Sequence, residues 1–262
     1  MSEVWIIVIG ISAIFVATVL GAAVVYFFKK EISAGLNSVI LGFASGVMIA
    51  ASVWGLIIPS IKQSEDWGAW SFVPAVAGIV IGGLFLVLID KLVPHIHKSG
   101  NVEEGLKSNL SKPYKLFLAV TIHNVPEGLA VGLAFGVAIV IAQPAAYFSA
   151  LALAIGIAVQ NLPEGAAISL PMRKELQNKH KAFLFGAASG VVEPIAALVG
   201  LLLATQISAI MPWMLAFAAG AMLFVVAEDL LPDARLNSGS HLGTWGFIAG
   251  FIVMMILDIS LG

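Results

Sequence analysis

Long apolar segments alternate along the chain with short polar or Pro/Gly-containing connections. A helix that crosses a bilayer needs roughly 20 consecutive apolar residues, and each segment is about that long. We predict eight spanning helices, at about 4–28, 36–61, 72–93, 116–142, 147–172, 181–204, 213–231 and 246–261. The predicted fold is an all-α polytopic membrane protein, with one transmembrane domain over residues 1–262.

The composition supports this prediction and limits the kinds of partner and metal ligand that we expect. Hydrophobic residues make up 60% of the chain and charged residues 11%, whereas soluble domains are about 45–50% apolar. The apolar composition indicates a lipid bilayer as partner. The formal net charge of −2 creates no positive field, so we do not expect binding to nucleic acid. Because the chain has no cysteine, a bound metal is held by nitrogen, oxygen or thioether groups.

Basic residues are concentrated in alternate connections. Of the 13 Lys and Arg residues, all but Lys62 lie in or beside the first, third, fifth and seventh connections. The positive-inside rule places these connections in the cytoplasm. We therefore predict a multi-pass protein of the plasma membrane or bacterial inner membrane, with both termini on the extracytoplasmic side.

Two pairs of segments resemble each other. Residues 123–128 (HNVPEG) in the fourth span match 160–165 (QNLPEG) in the fifth, and 43–48 (FASGVM) in the second match 217–222 (FAAGAM) in the seventh. In each pair the two predicted helices run in opposite directions. Inverted repeats of this kind surround midplane sites in many secondary transporters. We predict that helices 1–3 and 6–8 are inverted repeats that flank the 4–5 pair.

Three carboxylates lie well inside predicted spans, namely Glu127, Glu164 and Glu193. An ionised carboxylate at the centre of a spanning helix costs about 2.5–3.5 kcal/mol on the insertion scale. No Lys or Arg lies at matching depth, so the neutralising partner is a proton or a bound cation. For Glu193, a cap at a helix end is an alternative role.

The residues around these carboxylates favour a cation. His123 and Glu127 stand at i and i+4 on one helix face, and Asn124 lies at its edge. The fifth helix repeats this geometry with the polar residues of its own motif, Gln160, Asn161 and Glu164. Two such antiparallel helices in contact would present nitrogen and oxygen ligands to one volume, with room for one or two divalent ions.

The paired Asn-x-Pro-Glu-Gly motifs, in consecutive helices of an eight-span chain, resemble those of the ZIP (Zrt/Irt-like) metal transporters. The resemblance covers the whole chain. It implies uptake of divalent transition metals into the cytoplasm, with a binuclear centre formed by the fourth, fifth and sixth helices. We therefore expect a transporter and not an enzyme, with no cofactor and with Zn²⁺, or else Cd²⁺, Fe²⁺ or Mn²⁺, as the bound and transported ion.

The resemblance also assigns roles to residues. The implied transport-site ligands are His123, Glu127, Gln160 and Glu164. The implied adjacent site contains Asn124, Asn161 and Glu193 and shares Glu127 and Glu164. Met48, a core residue by its chemistry alone, matches a methionine that supplies a soft ligand in similar proteins. The implied cytoplasmic exit residues are Asp90, His95 and Glu228. Many members carry His where Gln160 stands, which leaves the metal preference open.

We expect metal uptake by alternating access, and two other functions stay open at this point. One is a proton-coupled transporter of an organic solute, in which the glutamates carry only protons. The other is an intramembrane metal-dependent hydrolase, although such a site usually needs three fixed ligands and the chain has one midspan histidine. A homodimer is compatible with the sequence.

Overall fold

Long helices account for most of the computed structural model, which describes residues 2–28, 33–96, 103–234 and 240–261. Within these residues, 8 helices are long and apolar enough to span a membrane. They are α1 (Glu3–Tyr26), α2 (Ala34–Lys62), α3 (Val73–Leu92), α4 (Lys112–Ile141), α5 (Pro144–Leu176), α6 (Lys179–Gln206), α7 (Met211–Ala234) and α8 (Leu242–Leu261). The prediction of an all-α polytopic membrane protein is confirmed.

The α4–α5 connection is very short, and local chemistry explains where each helix stops. Ala142 ends α4 in the left-handed conformation at φ 54°, which turns the chain away from the helix axis. Pro144 then begins α5, where its missing N–H is not needed. With only Ala142 and Gln143 between them, α4 and α5 must run antiparallel side by side.

Irregular segments occur in the interior of α2, α6 and α7. α2 includes a π-helical segment at Ala51–Ile57, and α7 includes one at Val226–Leu230. α6 is interrupted after Ser189 and resumes at Val192. Single-turn π segments occur often at functional sites.

Several short elements lie at the ends of the spans. They are the 3₁₀ turns Val24–Tyr26, Glu65–Trp70 and Ser208–Ile210, and an antiparallel pair of two-residue strands, β1 (His95–Ile96) and β2 (Glu103–Glu104).

The helices pack as two groups. In the first, which we call the α4–α5 group, α1 packs along α5, α4 packs along α6, and α4 and α5 lie side by side. In the second, the α2–α7 group, α2 packs along α8, α3 packs along α7, and α2 contacts α7. The groups meet along a seam at which α4 and α5 face α2, α7 and α8.

Glycines allow the close pairs of the α2–α7 group to form. A Cβ atom at these glycines would collide with the backbone of the neighbouring helix, so only glycine permits the observed approach. The contacts are Gly46 on Phe247 and Gly250 on Phe43 in the α2–α8 pair, and Gly220 on Ile79 and Gly82 on Phe217 in the α3–α7 pair.

Candidate metal-binding site

A cluster of polar side chains lies inside the α4–α5 group. Asn124, Glu127, Gln160, Asn161 and Glu193 are each at most 1% exposed, and Glu164 beside them is half-buried. Burial of polar and ionisable groups among apolar helices is costly unless each finds a partner. The polar atoms that have a hydrogen-bond partner, and those that have none, therefore show which kind of ligand the cluster can bind.

Gln160 and Glu127 connect the two motif helices directly. The Gln160 Nε2 atom on α5 donates a hydrogen bond of 2.6 Å to Oε1 of Glu127 on α4. This contact holds one carboxylate oxygen of Glu127 and turns the amide oxygen of Gln160 away from it.

Two neighbouring helices hold one carboxylate oxygen of Glu193. Its Oε1 atom accepts hydrogen bonds from Asn124 Nδ2 on α4, at 3.0 Å, and from Thr18 Oγ1 on α1, at 2.8 Å. Asn124 Nδ2 also donates to the Ser189 carbonyl at 3.0 Å. Both amide protons of Asn124 are thus used, which fixes the direction of its Oδ1 atom.

Six buried oxygens of the cluster have no hydrogen-bond partner within the described residues. They are Asn124 Oδ1, Glu127 Oε2, Gln160 Oε1, Asn161 Oδ1, Glu164 Oε2 and Glu193 Oε2. Buried oxygens are normally paired, so six together on three adjacent helices require an explanation. Carboxylate and amide oxygens are ligands for divalent cations, and a bound cation would pair them.

The cluster is not a simple group of acidic and imidazole ligands. Across the described part of the chain, no three His, Asp or Glu side chains are grouped so as to hold a metal by themselves. Three of the six free oxygens belong to amides instead. The free oxygens of the cluster are therefore a mixed set of carboxylate and amide oxygens.

The glycine that ends each motif allows the neighbouring helix to approach the cluster. Gly128 lies against the backbone of Glu193 on α6, and Gly165 lies against the backbone of Thr18 on α1. A side chain at either position would push that helix away. The two motifs therefore supply both the polar atoms and the space in which they converge.

His123 lies at the edge of the cluster and contacts the other helix group. Its Nε2 atom is 3.1 Å from Asp229 Oδ2 on α7, and both side chains are 12% exposed. Glu164 and Asp90 also interact electrostatically with His123. No role was assigned to Asp229 from the sequence.

Two cavities open along the seam. The Asp229 cavity, of about 60 Å³, is lined by His123, Glu164, Asp229 and Asp233 among others. The Lys62 cavity, of about 360 Å³, is lined mainly by apolar residues together with Lys62, Ser149 and Asp258. Along both α4 and α5, residues of the cluster lie between those lining the two cavities.

The remaining predicted residues occupy different surroundings. Met48 on α2 is fully buried in the hydrophobic core. Glu228 is exposed, whereas its neighbour Asp229 contacts His123. Asp90 lies near the end of α3. The backbone of His95 belongs to β1, and its side chain is outside the part of the chain that the structure describes.

Comparison with known proteins identifies the family. A family described as ZIP Zinc transporter matches residues 100–258. The chain is 35% identical to zinc transporter ZIP11 of Homo sapiens, with 94% of each chain covered. The chain belongs to the ZIP family of zinc transporters.

Bacterial ZIP proteins show the same similarity. Zinc transporter GufA of Myxococcus xanthus is 34% identical over 94% of this chain and 95% of its own. Zinc transporter ZIPB of Bordetella bronchiseptica is 34% identical over 97% of this chain and 81% of its own. As a ZIP protein the chain is a membrane transporter of metal ions. The prediction of a transporter is confirmed, and the hydrolase alternative is excluded.

Proposed function

We propose that this protein carries Zn²⁺ from outside the cell into the cytoplasm and binds it at the buried cluster of α4, α5 and α6. The observation that carries this proposal is the set of six buried oxygens without hydrogen-bond partners. Cd²⁺, Fe²⁺ and Mn²⁺ have coordination preferences that the same donors also satisfy. They are therefore proposed as further substrates.

The donors divide into two adjacent metal sites. The first is formed by His123, Glu127, Gln160 and Glu164, with the Met48 thioether as a fifth ligand from α2. The second is formed by Asn124, Asn161 and Glu193 and shares Glu127 and Glu164 with the first. The geometry supports sharing, because Glu127 on α4 and Glu164 on α5 each have one buried oxygen, Oε2, without a hydrogen-bond partner among the described residues.

Transport by alternating access is supported by the two cavities. The Asp229 cavity reaches His123 and Glu164 of the cluster. Between the cluster and the residues that line the Lys62 cavity, α4 and α5 carry fully buried apolar residues such as Leu133 and Ile157. By the distribution of basic residues the Asp229 cavity faces the cytoplasm. Movement of the α4–α5 group along the seam would expose the cluster to the opposite side.

The packing of the helices supports the inverted repeat. The segments 43–48 and 217–222 precede the two π-helical segments of α2 and α7. Gly46 and Gly220 hold corresponding places in these segments, and each lies against the backbone of its partner helix. We therefore propose that helices 1–3 and 6–8 of one transmembrane domain are inverted repeats, with both termini outside. We also propose that the protein forms a homodimer.

Asp90, His95 and Glu228 are proposed exit residues, and Asp229 is added to them. Asp229 supports this addition because it lines the cavity that reaches the cluster. A released ion would meet its carboxylate directly after leaving His123 and Glu164.

The test is Zn²⁺ flux into proteoliposomes at neutral pH, for the wild type and for Glu127→Ala. Saturable uptake that is lost in Glu127→Ala, and that excess Mg²⁺ does not inhibit, is the expected result. Excess Mn²⁺ is expected to compete. If the folded wild-type protein shows no flux above empty liposomes, the proposal is wrong.

A further inference from the structure

Thr18 is a buried polar residue of α1 that contacts the proposed metal site without belonging to it. Its side chain is fully buried. Its Oγ1 atom lies 2.8 Å from Glu193 Oε1 and 3.3 Å from the Ile14 carbonyl oxygen. A hydroxyl has one proton, and the shorter contact to a carboxylate is the stronger hydrogen bond. Thr18 therefore donates to Glu193.

This bond acts on one oxygen of the Glu193 carboxylate and leaves the other oxygen free. Glu193 Oε1 accepts from both Thr18 and Asn124, while Oε2 is buried without a partner. With two donors on one oxygen, the carboxylate cannot rotate without breaking a buried hydrogen bond. Its second oxygen is thereby held in one direction.

Thr18 also holds a distinctive place in the packing. Gly165 of the fifth-helix motif lies against the backbone of Thr18, just as Gly128 of the fourth-helix motif lies against the backbone of Glu193. Thr18 thus occupies on α1 the place that Glu193 occupies on α6, and the two side chains meet. The same turn of α1 supplies the Ile14 carbonyl that accepts from Asn161 Nδ2 at 3.4 Å.

We propose that Thr18 is a positioning residue for metal binding: its hydroxyl holds the Glu193 carboxylate so that Oε2 is presented to the metal. This inference rests on the proposed function, because it assumes that Glu193 is a ligand. It adds α1 to the helices that determine metal affinity, although α1 supplies no ligand.

The experiment measures Zn²⁺ affinity of the purified full-length protein in lipid nanodiscs, by competition with a fluorescent chelator. Thr18→Val keeps the shape of the side chain and removes the donor. We expect it to weaken binding about 10- to 100-fold, as losses of groups that orient metal ligands do. Thr18→Ser should retain most of the wild-type affinity. Thr18→Ala, which lacks the valine methyl groups, should match Thr18→Val.

A matched control is available on α4. Thr121 donates to the Phe117 carbonyl of its own helix at 2.7 Å, so Thr121→Val removes a hydroxyl that does not act on the cluster. It should leave Zn²⁺ affinity unchanged. In a Glu193→Ala background, Thr18→Val should have no further effect, because the interaction through which it acts is already absent.

Three results would overturn the inference. They are equal affinities of Thr18→Val and the wild type, equal losses in Thr18→Val and Thr121→Val, and a full Thr18→Val effect in the Glu193→Ala background. In each case Zn²⁺ binding and flux by the wild type would leave the proposed function standing. If the folded wild type neither binds nor transports Zn²⁺, the proposed function fails and this inference fails with it.

Discussion

His123 on α4 and Asp229 on α7 form a pair across the seam, with 3.1 Å between Nε2 and Oδ2. Histidines that bind metals usually donate their second ring N–H to a carboxylate or carbonyl, which fixes the ring and its tautomer. With Nε2 directed at Asp229, Nδ1 is the ring atom available to a metal. The pair also joins the α4–α5 group to the α2–α7 group. Movement of one group relative to the other would therefore change the distance between His123 and Asp229.

Asp229→Ala is expected to weaken Zn²⁺ binding about 10- to 100-fold, because the His123 ring loses the carboxylate that orients it. Equilibrium affinity in nanodiscs is the measurement. Glu228→Ala is the comparison, since Glu228 is adjacent and exposed. It should change affinity less than Asp229→Ala even if it slows release. Equal effects of the two substitutions would contradict the assignment of Asp229.

Gln160→His is expected to raise the preference for Zn²⁺ over Mn²⁺. Imidazole suits zinc, whereas oxygen donors suit manganese, and the substitution replaces an amide whose oxygen is free. We expect a change in the ratio of the two dissociation constants of about tenfold, which is ~1.4 kcal/mol. Competition binding of the two ions measures this ratio. An unchanged or lower ratio would show that Gln160 does not contact the ion.

Gly128→Ala is expected to lower both thermal stability and Zn²⁺ affinity. The new Cβ would collide with the Glu193 backbone, and overpacking of this kind costs about 1–3 kcal/mol. Gly83→Ala on α3 is the control, because the nearest atom to its Cβ is a Phe224 ring carbon at 3.9 Å. Both the thermal stability and the Zn²⁺ affinity of Gly83→Ala should be close to those of the wild type. Similar losses in the two variants would contradict the packing role of Gly128.

The sequence was sufficient to predict the spans and most of the cluster, for physical reasons. A bilayer requires long apolar helices, and ionisable groups inside them are too costly to be incidental. The i, i+4 spacing of His123 and Glu127 placed both on one helix face. The order in which eight helices pack is not encoded in such local patterns, so contacts between distant helices required the structure.

Sequence reasoning assigned no role to two residues that contact the cluster, Asp229 and Thr18. Glu228 and Asp229 are adjacent. The periodicity of an α-helix does not predict which of them faces the seam, because the segment Val226–Leu230 is π-helical. Thr18 is a single hydroxyl in an apolar span, and such residues commonly bond to the carbonyl four residues back. Only the proximity of α6 shows that Glu193 is its acceptor. The signal available beforehand was its polarity in an otherwise apolar helix.

The absence of native cysteine makes alternating access directly testable by single substitutions. Ser149 lines the Lys62 cavity and Ala167 lines the Asp229 cavity. A membrane-impermeant maleimide should label Ser149→Cys only from outside and Ala167→Cys only from the cytoplasmic side. Saturating Zn²⁺ should change the two labelling rates in opposite directions, because opening one end of the seam closes the other.

Both variants must retain Zn²⁺ flux for this comparison, and the cysteine-free wild type controls for non-specific labelling. Labelling rates that rise or fall together would indicate a pore open to both sides, and the proposed movement of the α4–α5 group would be wrong. Labelling from the reversed sides would instead preserve the mechanism and overturn the predicted orientation of the termini. The experiment therefore separates the mechanism from the topology, which the positions of the basic residues alone do not do.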